Sequence, residues 1–295
     1  MLFESMDLGC VLVDVIRDEH DIAIDLLYVE ANPAAVRMTG IELVGRTTRE
    51  ISPDFELHWF ETFGRVARTG VGERHELPAA PLDVSYDFYV FKVGEPGTWR
   101  VAAVYQDITI RKRAEAVLRE NTSRQAFLLA LADAIRPLVD SLAIQAAAVR
   151  LLGDQLATAR AFYGEFHNET GTFVVHRAYV REPAISLSGV YRCDDFPPVA
   201  QRLRAGETSV VPDVLASPEI SREVGERFML LGVRAQIAVP LVKSGELVAA
   251  LVVNQPSPRD WTALEVSLVQ ETAERTWSAV AHARSEQALE HTEQI

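Results

Sequence analysis

The sequence predicts two α+β domains, each an antiparallel sheet with flanking helices, joined by a long helix. Three observations predict it. The length of 295 residues suits two domains of ordinary size. Short β-branched and apolar runs alternate with charged or glycine-bearing turns in both halves of the chain, as antiparallel strands require. Between the halves, apolar residues recur at heptad spacing from Ile110 to Ile135, the pattern of a long helix. The expected boundaries are a first domain at 1–109, a connecting helix at 110–136, a second domain at 137–280 and a helical tail at 281–295.

In the first domain, residues 9–16 and 22–30 read as strands around the charged turn Arg17-Asp18-Glu19-His20-Asp21. Asn32 then caps a short helix with Pro33 at its first position, and Gly40 ends it. Gly45-Arg46 opens a polar connection towards Pro53-Asp54. Residues 56–69 place Phe60, Phe63, Val66 and Ala67 on one helical face, and Gly70-Val71-Gly72 stops the helix. Three strands are expected at 73–77, 85–93 and 98–107, with Gly94-Glu95-Pro96-Gly97 as the turn between the last two.

The connecting helix carries Ile110, Ala114, Val117, Asn121, Arg124, Leu128, Leu131 and Ile135 along one seam, and Pro137 interrupts it. Asp140-Ser141 caps a second helix at 142–155. Hairpins follow at 160–180, around Asn168-Glu169-Thr170-Gly171, and at 233–254, around Lys243-Ser244-Gly245. Between them lie a loop through Pro183 and Gly189, a helix at 198–204, a strand at 208–211 and a helix at 219–231 ending at Gly232. A last helix starts near Thr262, with Val266, Val269, Ala273, Thr276, Val280 and Ala283 at heptad positions before the seam turns polar at Gln287 and Glu290. A sequence stopping in mid-helix is expected to continue into a further domain of a longer protein.

Composition narrows the function classes. A formal charge of −13 argues against nucleic-acid binding, which relies on clustered Lys and Arg. The dense basic run Arg111-Lys112-Arg113 reads as a solvated helix start. No apolar stretch reaches the roughly 18–20 residues of a membrane span, and the N-terminus has no signal-peptide pattern, so a cytoplasmic location without membrane contact is expected. Cys10 and Cys193 fall in different domains and form no CxxC pair.

The first third resembles PAS domains. The likeness rests on Glu30-Ala31-Asn32-Pro33-Ala34-Ala35, on Val44-Gly45-Arg46-Thr47, on Trp59 through Arg65-Val66 to Thr69-Gly70, and on Asp107-Ile108-Thr109 running into Arg111-Lys112-Arg113-Ala114-Glu115. In that family the Asp-Ile-Thr step joins the sheet to an output helix, which implies signal-relay roles for Asp107 and Thr109; either can also cap the helix. Residues about 127–285 resemble GAF domains of bacterial sensor kinases, through Val211-Pro212-Asp213-Val214, Leu231-Gly232-Val233-Arg234-Ala235, Val239-Pro240-Leu241-Val242, Leu247-Val248-Ala249-Ala250-Leu251-Val252-Val253 and Trp261-Thr262 before Glu265. This resemblance implies a six-stranded antiparallel sheet with helices on one side and a ligand pocket, or its remnant, on the other.

Cofactor motifs are sparse. No Asn-Cys-Arg motif of a flavin photoreceptor is present, and Cys10 reads as a small residue of the first strand. His58 can ligate haem iron, although a lone histidine reads first as a packing or surface residue; His20 and His75 are weaker candidates. The phytochrome Asp-Ile-Pro motif has no counterpart in Pro212-Asp213-Val214-Leu215, and Cys193 is followed by Asp194-Asp195 instead of histidine. His58 and Cys193 are thus the cofactor-binding candidates, with no tightly bound cofactor and no metal site expected. The Asn-Lys-x-x-x-Phe-x-x-x-Asp-Glu pattern of cyclic-nucleotide GAF domains is absent. So are Walker, GxGxxG, HExxH and GxSxG motifs, and His282 lacks a phosphoacceptor pattern, so no catalytic residue is assigned.

The expected protein is a sensory and dimerisation module of a signalling protein, the N-terminal part of a sensor histidine kinase. Its expected partners are a second copy in a parallel homodimer, a small-molecule ligand and, through the missing effector, a response regulator. A diguanylate cyclase is another possible output. Two alternatives stay open. One is a spacer whose pockets are filled by its own side chains, for which Phe88, Trp99 and Phe162 are the bulky candidates. The other is a haem- or chromophore-based light or redox sensor.

Overall fold

The computed structural model describes residues 2–95 and 97–293, so Pro96 of the expected turn lies outside the described residues. The chain forms two compact units, residues 1–120 and 121–295. In the first, helix α1 (Leu2–Ser5) precedes strands β1 (Gly9–Arg17) and β2 (Ala23–Ala31). Helices α2 (Pro33–Thr39), α3 (Thr48–Ile51) and α4 (Leu57–Thr69) follow, and strands β3 (Glu73–Ala79), β4 (Val84–Lys92) and β5 (Arg100–Asp107) complete a sheet of order β2-β1-β5-β4-β3. Every pairing is antiparallel.

Alternation along β1 sends Val11, Val13 and Val15 into the core, where they meet Trp59, Phe60, Phe63 and Val66 of α4. The expected caps form. Asn32 Oδ1 accepts the Ala35 N–H at 2.9 Å, and Gly40 and Gly70 close α2 and α4 in the left-handed conformation. Helix α3 was not expected. Residues 45–53 read as a polar connection, yet Thr47 and Glu50 make a reciprocal capping box that stabilises one short helix.

Helix α5 (Thr109–Ile135) leads into the second unit, where α6 (Ser141–Leu156) is capped by Asp140. Strands β6 (Arg160–His167), β7 (Thr172–Val180) and β8 (Gly189–Arg192), helix α7 (Pro197–Arg204), strand β9 (Ser209–Val211) and helix α8 (Arg222–Leu230) come next. Strands β10 (Ala235–Lys243) and β11 (Glu246–Gln255) and helix α9 (Ala263–Glu293) complete the unit. The six strands run in the order β8-β7-β6-β11-β10-β9. Two expectations shift here. The expected loop through Gly189 contains the edge strand β8, which spans only four residues. Helix α8 begins at Arg222 rather than 219, because Ser221 accepts the Val224 N–H and fixes the start.

Each face of this sheet has its own core. On one, the last turns of α5, with α6 and α9, bury Leu131, Leu152, Val269, Ala273 and Val280 against Tyr163, Ile237, Leu241 and Leu251. On the other, α7, α8 and the intervening loop cover Phe162, Ala238 and Ala250.

The heptad seams divide accordingly. Ile110, Ala114, Val117 and Asn121 are exposed, whereas Leu128 and Leu131 are buried in the second unit's own core. In α9, Val269, Ala273, Thr276, Val280 and Ala283 face that core too. That half of α5's seam and these α9 positions are already covered within the chain. Among the described residues no helix is long and apolar enough to cross a membrane.

Candidate functional site: two lined cavities and a sheet-to-helix junction

Both units contain a cavity. The one in the first unit lies between the sheet and α4 and is partly open to solvent. Trp59, Phe63, Phe88, Tyr28, Tyr86 and Tyr105 shape it. Trp59 stacks on Phe88 with ring centroids 4.7 Å apart, and its indole N–H donates to the Pro78 carbonyl at 3.2 Å. The Tyr86 hydroxyl is buried without a hydrogen-bond partner among the described residues, and burial pushes its ionisation up to about 12.

His58 does not line this space. It stands beside Trp59 on α4, ring centroids 5.5 Å apart, and its buried Nε2 has no partner among the described residues. Of the bulky candidates, Phe88 lines the cavity, while Trp99 carries the Arg17 guanidinium over its ring at 4.5 Å and stays outside the lining.

The second cavity, again partly open, lies between the sheet and the layer of α7 and α8. Phe162, Phe173, Phe196, Phe228 and Tyr191 supply its aromatic walls, with Leu187, Val199 and Leu203 among the aliphatic ones. Small residues make the room: Gly164, Ala238 and Ala250 stand on neighbouring strands where larger side chains would fill it. Cys193 is buried in the same lining, and desolvation raises its thiol above the usual range, against easy thiolate chemistry. Sequence reasoning missed the two polar lining residues, Gln236 and Asn254, because strand alternation alone does not tell a cavity from a filled core.

A clasp closes one side of this unit. Arg234 binds Asp213 through two hydrogen bonds of 2.9 Å each, and the Leu215 N–H donates to Asp213 Oδ1. The Arg234 guanidinium holds the Asp213 carboxyl below the usual range. The pair ties the 212–218 loop to β10, with Val214 and Val233 buried beside it.

The sheet-to-helix junction is equally specific. Asp107 Oδ1 accepts the Thr109 N–H at 2.8 Å, satisfying one orphan amide of α5. Thr109 Oγ1 faces the sheet instead and accepts the Ser85 N–H at 2.9 Å, while the Ile108 N–H donates to the Ser85 carbonyl at 2.8 Å. Arg111 and Lys112 then pair with Glu76, and Arg113 with Asp83. The basic run is therefore engaged with acidic groups of its own unit. Among the described residues no group of three or more His, Cys, Asp or Glu side chains converges as a metal site.

Family comparison fits this layout. The GAF domain model matches residues 128–280, more than half of the chain. The chain belongs to the GAF family. A PAS domain model matches residues 1–71, so a PAS domain precedes the GAF domain and the whole is a pair of sensory domains. No curated protein matches the chain. Among solved structures, the blue-light absorbing form of the Thermosynechococcus elongatus PixJ GAF domain is 21% identical, covering 52% of this chain and 93% of that one at a TM-score of 0.45. The Stigmatella aurantiaca phytochrome photosensory core module is 16% identical, covering 97% of this chain and 60% of that one at 0.48. The free methionine-R-sulfoxide reductase of Neisseria meningitidis is 16% identical, covering 55% and 91% at 0.46.

Proposed function

We propose that this PAS–GAF pair is the input module of a cytoplasmic signalling protein, and that it senses an exchangeable small molecule held in the GAF cavity. The observation that carries the reading is the cavity itself: an apolar space beneath a two-helix layer, kept open by Gly164, Ala238 and Ala250. The same strands offer a route outwards. On β6, Phe162 faces the cavity while Tyr163 faces α9, and the Tyr163 hydroxyl donates to the Thr272 carbonyl of that helix at 3.4 Å. A ligand that fits one arrangement of the strands better than another shifts the population of α9 with it.

In this reading the output is a histidine kinase attached after α9, acting on a response regulator. The module itself catalyses nothing and holds no cofactor tightly. Asp107 and Thr109 relay changes in the PAS sheet to α5, and the exposed first half of α5 pairs with that of a second copy in a parallel dimer. The spacer reading has one observation in its favour, since Phe88 and Phe162 do occupy cavity walls.

A thermal-shift screen of a metabolite library, run in parallel on the wild type and on an Ala250→Trp variant that fills the cavity, separates the two. The sensor reading expects compounds that raise the melting temperature of the wild type and leave the filled variant unmoved. No stabilisation of either protein would favour the spacer, and equal stabilisation of both would place the ligand outside the GAF cavity.

A further inference from the structure

The GAF cavity is apolar except along one row. Strand register aligns Gln236 on β10 with Asn254 on β11, and Asn254 with Arg160 on β6. The next row along the same face is Ala238, Val252 and Phe162. All three polar side chains are buried, at 4%, 1% and 2% exposure. Strand interiors rarely bury three such groups side by side, because each must find partners or lose its hydration uncompensated.

Their hydrogen bonding is incomplete in one direction. The Arg160 guanidinium donates to the Ile185 carbonyl at 2.7 Å, to the Gly232 carbonyl at 3.2 Å and to Asn254 Oδ1 at 3.2 Å. All its partners among the described residues are neutral, and no carboxylate there answers its charge, although the protein is strongly acidic overall. Because the guanidinium takes the oxygen end of the Asn254 amide, the NH₂ end is the group Asn254 has left to offer. Gln236, also in the lining, has a buried Nε2 with no partner among the described residues. The row thus presents N–H donors backed by an uncompensated cation, at the end of an otherwise apolar and aromatic space.

We infer that the GAF cavity binds a small molecule with an apolar, ring-bearing body and a carboxylate head, the head received by Gln236 and Asn254 with Arg160 behind them. The body lies against Phe162, Phe173, Phe196 and Phe228. The inference rests on the sensory reading above and adds the chemical class of the ligand. A carboxylate is a small planar anion whose two oxygens can accept from both amides at once, and its charge is favoured by the nearby guanidinium in a site of low dielectric.

The test uses the full chain and two probes of nearly equal size, 2-naphthoate and its neutral methyl ester, in calorimetric titration at pH 7.5. Hydrogen bonds to a charged group are stronger than those to a neutral one, so the acid should bind at least about tenfold tighter than the ester. Gln236→Glu places a like charge against the head and should abolish that preference while sparing the ester. Gln236→Leu, which adds no charge, should weaken the acid alone; circular dichroism confirms that each variant is folded. Equal affinity for acid and ester, or a preference unchanged by both substitutions, overturns the carboxylate assignment. If that equal binding is lost in Ala250→Trp, the cavity still serves as a ligand site and the sensory reading survives. Absence of binding by both probes overturns the inference, and the library screen then judges the sensory reading on its own.

Discussion

Asn32 shows how much one side chain can organise. Fully buried, it accepts from the Ala35 N–H to cap α2 and from the Cys10 N–H at the start of β1, and its amide donates to the Phe3 and Leu8 carbonyls. Removing it leaves four backbone groups without this partner, the buried Ala35 N–H among them. Asn32→Ala is expected to cost about 3 kcal/mol, from the lost cap and the unsatisfied groups together; urea denaturation followed through the PAS transition measures it. Glu73 supplies a pH dependence. Its carboxylate accepts from Arg65 and lies 2.8 Å from the His75 ring, and these partners, Arg65 foremost, lower its pKa to about 2. The folded value lies below the unfolded one of roughly 4.3, so the unfolded chain takes up the proton first as pH falls. The stabilisation is complete above that value, declines as pH drops from about 4.5 towards 2, and is screened because the pair is partly exposed. Thermal melts should show Glu73→Gln less stable than the wild type at pH 7, with the difference shrinking through that window.

At the scale of elements, local chemistry was the legible part. Asn32, Asp140 and Thr262 announce helix starts in the sequence, and the structure places caps at all three. The Thr47–Glu50 box carries the same kind of signal within four residues, but the glycine and arginine before it read as a connection. Strand β8 had too few residues for periodicity to register. The polar row of the GAF cavity was illegible for a different reason: Arg160, Gln236 and Asn254 are widely separated in sequence, and only the strand register makes them neighbours. Heptad spacing, in turn, marked the buried stripe of α5 and α9 without telling whose surface would cover it. Helix α5 puts this to a test. Leu131→Ala, at a fully buried site, should cost about 2–5 kcal/mol of GAF stability without affecting assembly of the folded protein. Val117→Glu, on the exposed stretch, should leave stability within about 0.5 kcal/mol and dissociate the proposed dimer. Light scattering at micromolar concentration reads the second effect; monomeric wild type would remove the dimer from the account.

At the scale of the whole molecule, the proposed relay runs through the GAF sheet. Its strands carry the cavity on one face and the long helices on the other, so in the proposed relay a shift of strand position is felt on both. Packed interiors move between discrete arrangements instead of yielding continuously, which lets a small change on one face bias a helix on the other. Electrostatic ties cross the helical face as well: Arg284 to Glu165 at 2.6 Å, Lys243 to Glu274 at 3.2 Å, and Arg124 to Glu271. The measurement that tests this most directly is hydrogen exchange of the full chain, with and without saturating 2-naphthoate or the strongest stabiliser from the screen. The account predicts slower exchange in α7 and α8 over the cavity together with a changed rate in α9, on the far side of the sheet. Protection confined to the cavity walls, with α9 exchanging at the same rate in both states, would show a binding site without a relay and contradict the account.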